Sequence, residues 1–567
     1  MEQNTKQLTG SQALMESLIA EGVDTIFGYP GGTIMPVYDA LYDYGDSIRH
    51  ILTRHEQGAT HAAQGYARAT GKTGVCMVTS GPGATNTITG ISDAMLDSTP
   101  MVVITGQVGA ALLGTDAFQE IDVVGVTLPI TKWAYQIRNV EDIPKAVAKA
   151  FYIASSGRPG PVVLDLARNA QVEKFNFEYK PCNYIRSYNP APETNENQIT
   201  EAAAIINSAK KPLALVGQGV ILANAENDLK KFLDKTDIPA AWTLLGASAM
   251  PHDYRLNKGF LGMHGNIAPN MKTNECDVLI AIGMRFDDRI TGDLNSYARQ
   301  AKIVHLDVDP AEINKNVKVD APVLGNVKTT LPLLTEKLNV AKHDDWISSF
   351  EKFEKEEFEK VIKNEIFPAE STKITMGEVV RKISEAAENN AVIVTDVGQN
   401  QMMAARYSKY SQTRSLITSG GLGTMGFGLP AAIGAKVGVP HRTVCLFCGD
   451  GGIQMTIQEL GTIMQENIGV KIIVLNNNFL GMVRQWQQLF FNERYSFTPM
   501  KNPDFVAIAA AYGISGAEVK QREELDNAIS EMLADDKPYL LVVNVENKGM
   551  VYPMTPAGTC VTNVMTP

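Results

Sequence analysis

The stretch Val444-Cys445-Leu446-Phe447-Cys448-Gly449-Asp450-Gly451-Gly452, followed later by Ile472-Ile473-Val474-Leu475-Asn476-Asn477, decides the fold. Each opens as a short, apolar, β-branched run, the pattern of a strand buried in a parallel sheet. Between them, around Gln458 to Gln465, the spacing is helical. Strand, helix and strand make a right-handed βαβ unit, so both strands end on the same edge of the sheet. That edge carries the Asp450 carboxylate and the Asn477 amide on the loops after the two strands. Together with the backbone carbonyl of Phe479 they form the hard oxygen set that Mg²⁺ takes, with phosphate oxygens completing an octahedron. Gly449, Gly451 and Gly452 let the backbone approach that phosphate closely. Alone, the Gly-Asp-Gly reads as an ordinary strand-turn-helix with a capping Asp; its pairing with the Asn-Asn turn favours the metal site.

Working outward, 567 residues exceed one hydrophobic core and call for two to four domains. A composition of 44% hydrophobic and 20% charged residues is that of an ordinary globular protein. The formal charge of −11 argues against nucleic acid as a partner, so an anionic substrate needs cations placed locally inside a pocket. Six cysteines in so long a chain give no disulfide framework, and the Cys445/Cys448 pair reads as small buried thiols inside a strand. No unbroken apolar stretch reaches the roughly 18 residues of a membrane span. Residues 1–8 are polar, without a signal core or an arginine-rich transit pattern, so a reducing cytoplasm is expected.

The fold class expected is α/β, with three doubly wound parallel-sheet domains over residues 1–180, 190–340 and 370–567. In the first, a helix at 11–21 and strands at 25–29, 48–53, 75–79, 101–105 and 161–165 alternate. Residues 181–197, rich in Pro, Asn and Thr, read as a linker. The second unit opens with the strand at 212–216 and adds strands at 278–282 and 303–307. Residues 342–363 turn strongly charged with spaced aromatics, as expected of an exposed linker helix. The end, 550–567, is short of charge and aperiodic, and reads as an arm that closes over a site.

Gly-Asp-Gly followed one βα unit later by Asn-Asn resembles the thiamine diphosphate (ThDP) motif, and the similarity runs over nearly the whole chain to the catalytic subunits of the acetohydroxyacid synthase family. The resemblance implies a site for ThDP and Mg²⁺, the metal held by Asp450, Asn477 and Phe479. Arg54-His55-Glu56-Gln57-Gly58-Ala59 matches the family context of the glutamate that drives the aminopyrimidine ring to its imino tautomer. By residue type alone Glu56 is a first-turn acid favoured by the helix dipole. Gly28-Tyr29-Pro30-Gly31-Gly32 and Ser80-Gly81-Pro82-Gly83-Ala84-Thr85-Asn86 are turns after strands, and imply cofactor contacts at Pro30, Gly31, Gly83 and Asn86. In Gly420-Gly421-Leu422-Gly423-Thr424-Met425-Gly426 the resemblance places Gly423 against the cofactor and makes Met425 the wedge that bends it, bringing its amino group close for proton transfer. Gly398, Gln399 and Asn400 follow the strand at 392–395; the family usually carries His where this chain has Asn400, an amide still able to donate to a diphosphate.

The middle domain carries Gly217-Gln218-Gly219, weak evidence by itself for a dinucleotide. Resemblance adds Met263 and His264, Gly283 with Arg285, and Asp307 ending a strand, and implies bound FAD serving structurally; ThDP decarboxylases keep the same domain without a flavin. The segments 114–120 and 481–486 resemble the biosynthetic members. They imply that Phe118, Gln119 and Lys132 line the substrate channel, that Met482 meets the cofactor, and that Trp486 shapes the acceptor pocket. Arg285 is implied to hold the acceptor carboxylate, for which a planar guanidinium is suited; a salt bridge to Asp287 or Asp288 is its ordinary alternative. Gly109-Ala110-Ala111 departs from the Pro and polar residues of many relatives, on a rim the family uses for inhibitors.

The implied activity is acetolactate synthase: pyruvate is decarboxylated and its two-carbon unit passed to pyruvate or 2-oxobutyrate, supplying branched-chain amino-acid biosynthesis. The rivals are a pyruvate oxidase or 2-oxo acid decarboxylase on the same scaffold and a non-catalytic flavin-binding scaffold, which intact Glu56, Asp450 and Asn477 argue against. Expected partners are small 2-oxo acids, a second copy in a homodimer or tetramer, and a separate regulatory small subunit, with no nucleic acid and no membrane.

Overall fold

The computed structural model describes residues 6–190 and 192–567; residues 1–5 of the polar start and Ala191 of the linker lie outside them. Three six-stranded sheets, parallel throughout, organise the chain. In the first, the strands lie in the order Arg49–Leu52, Thr25–Tyr29, Gly74–Val78, Met101–Gln107, Pro161–Ala167, Trp133–Ile137. In the third the order is Leu416–Ile417, Val392–Thr395, Val444–Gly449, Val470–Asn476, Tyr539–Asn544, Ser515–Val519. Counted along the chain, both sheets run 2-1-3-4-6-5. The middle sheet runs 3-2-1-4-5-6, from Asn257–Phe260 through Pro212–Val216 and Val278–Ile282 to Ala321–Leu324. Its order is that of dinucleotide-binding sheets, and in each sheet the strand order reverses beside the first strand, where a crevice opens beyond the strand ends.

The buried strands are almost wholly apolar because helices cover both faces; Cys445 and Cys448 are buried within one of them, and all six cysteines are free. The first and third domains pack through helices Glu56–Thr70 and Gly428–Gly438. Gly65 and Gly434 make that approach possible, since a methyl on either would strike the carbonyl of Ala431 or Ala62.

Two expectations are corrected. Residues 342–363 are not an exposed helix: Trp346, Phe350, Glu357 and Val361 are buried, and the first two pack among Leu213, Phe286 and Ile303 of the middle domain. Glu357 forms a buried ion pair with Arg406 of the third domain, while Lys355–Glu351 and Lys360–Glu356 pairs cover the outer face. The linker closes earlier than expected, with Asn195 capping helix Glu196–Asn207. No helix among the described residues is long and apolar enough to cross a membrane.

Candidate active site

The first domain offers one half of a site at the point where its strand order reverses, between Thr25–Tyr29 and Gly74–Val78. Glu56 is the first residue of its helix, behind His55, whose Nδ1 accepts from the Gln57 N–H at 3.1 Å as the N-cap. The Asn86 amide donates to Glu56 Oε2 at 2.9 Å, leaving Oε1 facing Gly83. Thr79 occupies the space that a side chain on Gly31 or Gly83 would need, and its hydroxyl meets that of Thr33 at 2.9 Å. Gln119 joins this group: it holds a left-handed φ of 60° against Gly81, where an added methyl would lie 3.0 Å from its Cβ. Asn86, expected at the cofactor, thus gives one of its two amide hydrogens to orienting Glu56.

The third domain offers the other half. Asp450 starts helix Asp450–Met455 directly after its strand and is almost fully buried. The Asn502 amide nitrogen donates to Asp450 Oδ2 at 2.6 Å and lies 3.0 Å and 3.2 Å from the side-chain oxygens of Asn476 and Asn478. Burial pushes the Asp450 carboxyl up to about 6. Asn477 accepts from the Phe479 N–H at 3.0 Å and donates to Gln399 at 3.3 Å. Gln399 in turn donates to Gln485 and to the carbonyl of Gly549, and Gln485 bonds both carbonyl and N–H of Val551. The Asn477 turn and the start of the C-terminal arm are thus one network. Met482 packs beside it against the core, and Gly398 has a left-handed φ of 146°.

Asn400 departs from expectation. Both of its amide hydrogens go to backbone carbonyls, of Asp396 at 2.9 Å and Phe447 at 3.1 Å, so it ties two strand ends together and has no donor left for a phosphate. Gly452 is likewise packed against Asp396, leaving Gly449 as the open glycine of the turn and Gly451 beside Leu480 and Met425.

The glycine-rich loop is gripped from both sides. Asp396, fully buried, accepts from the N–H groups of Val397, Gly426 and Gly428. From the first domain, Asp97 accepts from Gly420 and Gly421 at 2.9 and 2.6 Å, and Asp93 accepts from Thr424 at 2.9 Å and from Ser419. Arg68, paired with Asp97 at 2.7 Å, donates to the Thr418 carbonyl. Met425 therefore stands on a stretch fixed at both ends, with Gly423 (φ 71°) in open space beside it.

In the middle domain Gly217, Gly219 and Gly283 meet one another between the loops after Pro212–Val216 and Val278–Ile282, where the strand order reverses; the Gly219 N–H donates to the Gly283 carbonyl at 2.9 Å. Asp307 ends its strand and accepts from the Asp309 N–H. His264 and His305 are buried with Nδ1 lacking a partner, and burial holds His264 down at about 4. The backbone of Met263 is bonded to Thr555 of the C-terminal arm and to Arg289. Arg285 lies 3.8 Å from Asp287 and beside Gly421, so its charge is partly matched within the domain.

Lys132 is a clear correction. It immediately precedes strand Trp133–Ile137, on the sheet edge opposite Glu56, and its ammonium donates to the carbonyls of Ile153 and Ser156 at the end of helix Ile143–Ser155 and to the Tyr188 hydroxyl. It caps a helix C-terminus rather than lining the Glu56 side. Phe118 and Trp486, 87% and 39% exposed, are open to solvent within the chain. No local pattern in the sequence marks Asn502, Asp93 or Asp97, while Asp396 opens the Asp396-Val397-Gly398-Gln399 turn without a role assigned to it.

Comparison with known proteins accords with this geometry. The thiamine pyrophosphate enzyme models match in three stretches: the N-terminal TPP binding domain over residues 8–126, the central domain over 199–334 and the C-terminal TPP binding domain over 396–543. The chain is 45% identical over 559 residues to the acetolactate synthase isozyme 2 large subunit of Escherichia coli, covering 97% of this chain and 98% of that protein. It is 45% identical over 564 residues to the acetolactate synthase of Mycobacterium bovis, covering 98% and 91%. With the acetolactate synthase large subunit of Lactococcus lactis it shares 44% over 557 residues, covering 98% and 95%.

Proposed function

The chain belongs to the acetolactate synthase large subunits of the thiamine diphosphate enzymes, and from that premise we propose how its residues divide the work. It is a ThDP-dependent carboligase that decarboxylates pyruvate and joins the two-carbon unit to a second 2-oxo acid, pyruvate or 2-oxobutyrate. The observation that carries the assignment of roles is the pairing, in one chain, of the Asn86-oriented Glu56 with the Asp450–Asn477–Gln399 group, each at a sheet's reversal point.

When bound, ThDP would supply the nucleophilic carbon and the electron sink that decarboxylation and carbon–carbon bond formation require. Glu56 holds and returns the proton that the aminopyrimidine exchanges, with Asn86 fixing its carboxyl. Asp450, Asn477 and the Phe479 carbonyl would hold Mg²⁺, which would supply positive charge for the diphosphate. Three side-chain oxygens draw on the single Asn502 nitrogen, more acceptors than its two hydrogens satisfy, and that surplus suits a hard dication. Met425, on its clamped loop, would pack against the cofactor and orient it. FAD is assigned to the middle domain, where the 3-2-1-4-5-6 sheet, the mutual approach of Gly217, Gly219 and Gly283, and the unpartnered Nδ1 atoms of His264 and His305 suit a dinucleotide. Phe118, Gln119 and Trp486 face the substrate, and Arg285 its carboxylate.

Among the described residues no hydrogen bond or ion pair joins Glu56 to Asp450 or Asn477 within one chain. We assign the complete site to two copies, the first domain of one meeting the third domain of its partner about a two-fold axis. The relatives' designation as large subunits supports a separate small subunit, which we assign a regulatory role. Mixing inactive Glu56→Gln and Asp450→Ala chains tests the shared site: exchanged subunits should regain activity at the interface that carries both intact groups. Verified exchange without recovered activity would refute it.

A further inference from the structure

Gly58 and Glu459 meet at the start of the Glu56 helix, apart from the groups assigned to the cofactor. Glu459 belongs to the third domain, one helical segment beyond Asp450, yet its carboxylate enters the first domain and is fully buried there. Both of its oxygens accept from the Arg54 N–H, at 3.1 and 3.2 Å, two residues ahead of Glu56. The Thr462 hydroxyl donates to the same carboxylate at 2.7 Å. Gly58, one residue beyond Gln57 in the first turn of the Glu56 helix, leaves the gap that this carboxylate fills; a methyl there would collide with it. The Arg54 guanidinium completes the junction by donating to the carbonyls of Leu52 and Gly461 at 3.1 and 3.0 Å and to Gln465 at 2.9 Å. The backbone on which Glu56 begins its helix is therefore held as much by residues 459–465 as by its own domain.

We propose that Glu459, seated against Gly58, is a positioning residue for the reaction: it fixes the Arg54–Glu56 backbone and so sets where the Glu56 carboxyl stands against the aminopyrimidine. The inference rests on the reading of Glu56 as the proton-exchanging acid. A buried carboxylate is retained at a cost, and here burial raises its pKa to about 7 against the bonds from Thr462 and Arg54, which lower it. An apolar residue would fill the same space without that cost, so the carboxylate's geometry as a two-oxygen acceptor is what the site uses. A consequence follows for assembly. Asp450 and Glu459 lie on consecutive helical segments of one chain, while the Glu56 of that chain serves the other cofactor of the pair; Glu459 then links the two sites mechanically.

The test compares Glu459→Gln, Glu459→Ala and Gly58→Ala with Glu56→Gln, in the full-length protein loaded with ThDP and Mg²⁺. Three quantities are read: ThDP affinity by calorimetry, melting temperature without cofactor, and the rate at which the reactive carbon's proton exchanges with deuterium in bound ThDP. Loss of one hydrogen bond to a buried ionised group corresponds to about a 10- to 100-fold effect, so Glu459→Ala and Gly58→Ala should slow exchange and kcat together by that factor, with KM for pyruvate and ThDP affinity within about threefold. Glu459→Gln, which keeps one acceptor oxygen, should recover most of the loss, and Gly58→Ala serves as the readout if Glu459→Ala does not fold. Exchange at the wild-type rate in a folded Glu459→Ala or Gly58→Ala protein overturns the proposal, as does a loss wholly explained by weaker ThDP binding. Fast exchange in Glu56→Gln would instead overturn the role of Glu56 itself, which separates the two failures.

Discussion

Glu56→Gln removes a proton from the site's chemistry and almost nothing from its structure. The glutamine side chain has the same shape, and by turning its oxygen toward Asn86 it keeps the 2.9 Å bond that orients the native carboxyl. Its NH₂ group then faces the Gly83 side, where it can donate but cannot take up and return a proton. Folding stability should change by no more than about 0.5 kcal/mol, since neither burial nor bond count changes. The catalytic cost is that of a lost general acid–base, about 10²–10⁴-fold in kcat. Initial rates of acetolactate formation at saturating ThDP, Mg²⁺ and pyruvate measure it, alongside ThDP affinity and melting temperature. A kcat within threefold of wild type would refute the role given to Glu56. So would a loss matched by an equal loss of ThDP binding, because the residue would then be holding the cofactor rather than activating it.

Two further outcomes follow from particular residues. The Asp450 carboxyl, raised to about 6 by burial, stays protonated in the cofactor-free protein up to that pH, so between about pH 4 and 6 folding stability falls as pH rises and Mg²⁺ must displace a proton to bind. Mg²⁺-dependent ThDP affinity should fall about tenfold per pH unit below 6, with one proton released per site in calorimetry; an affinity flat from pH 5 to 7 would contradict the metal assignment. Gly109 has φ −60° and ψ 146°, with open space where a Cβ would go, so the backbone already has a proline's shape. Gly109→Pro should raise stability by about 0.4–1 kcal/mol with activity retained, and a lower melting temperature would show that the rim is held differently.

The βαβ reading around Asp450 carried because buried parallel strands are written as unbroken apolar runs, and a strand's end fixes which loop reaches the cofactor edge. Strands that lack that signature were passed over: Trp133–Ile137 is half-buried and mixes polar with aromatic residues, and Leu416–Ile417 has only two residues. Resemblance put Lys132 in the substrate channel, but which sheet edge a residue occupies is fixed only once its strand is known, and Lys132 precedes the strand Trp133–Ile137. The aromatics of residues 342–363 carried a buried face that the charges hid. Asn400 keeps a donor's chemistry, but only the structure shows both hydrogens spent on strand ends. Asn502 and Glu459 act across domains or far along the chain, on residues no local pattern connects.

The most direct test of the carboligase assignment is the product balance of the purified protein with ThDP, Mg²⁺ and FAD. With pyruvate alone, 2-acetolactate and CO₂ should appear one for one, each with the loss of two pyruvates, and the flavin absorbance should remain oxidised. With 2-oxobutyrate added, 2-aceto-2-hydroxybutyrate should form in competition. Acetaldehyde as the main product, or acetate with stoichiometric bleaching of the flavin, would contradict the account and place the chain among the decarboxylases or oxidases of the same scaffold.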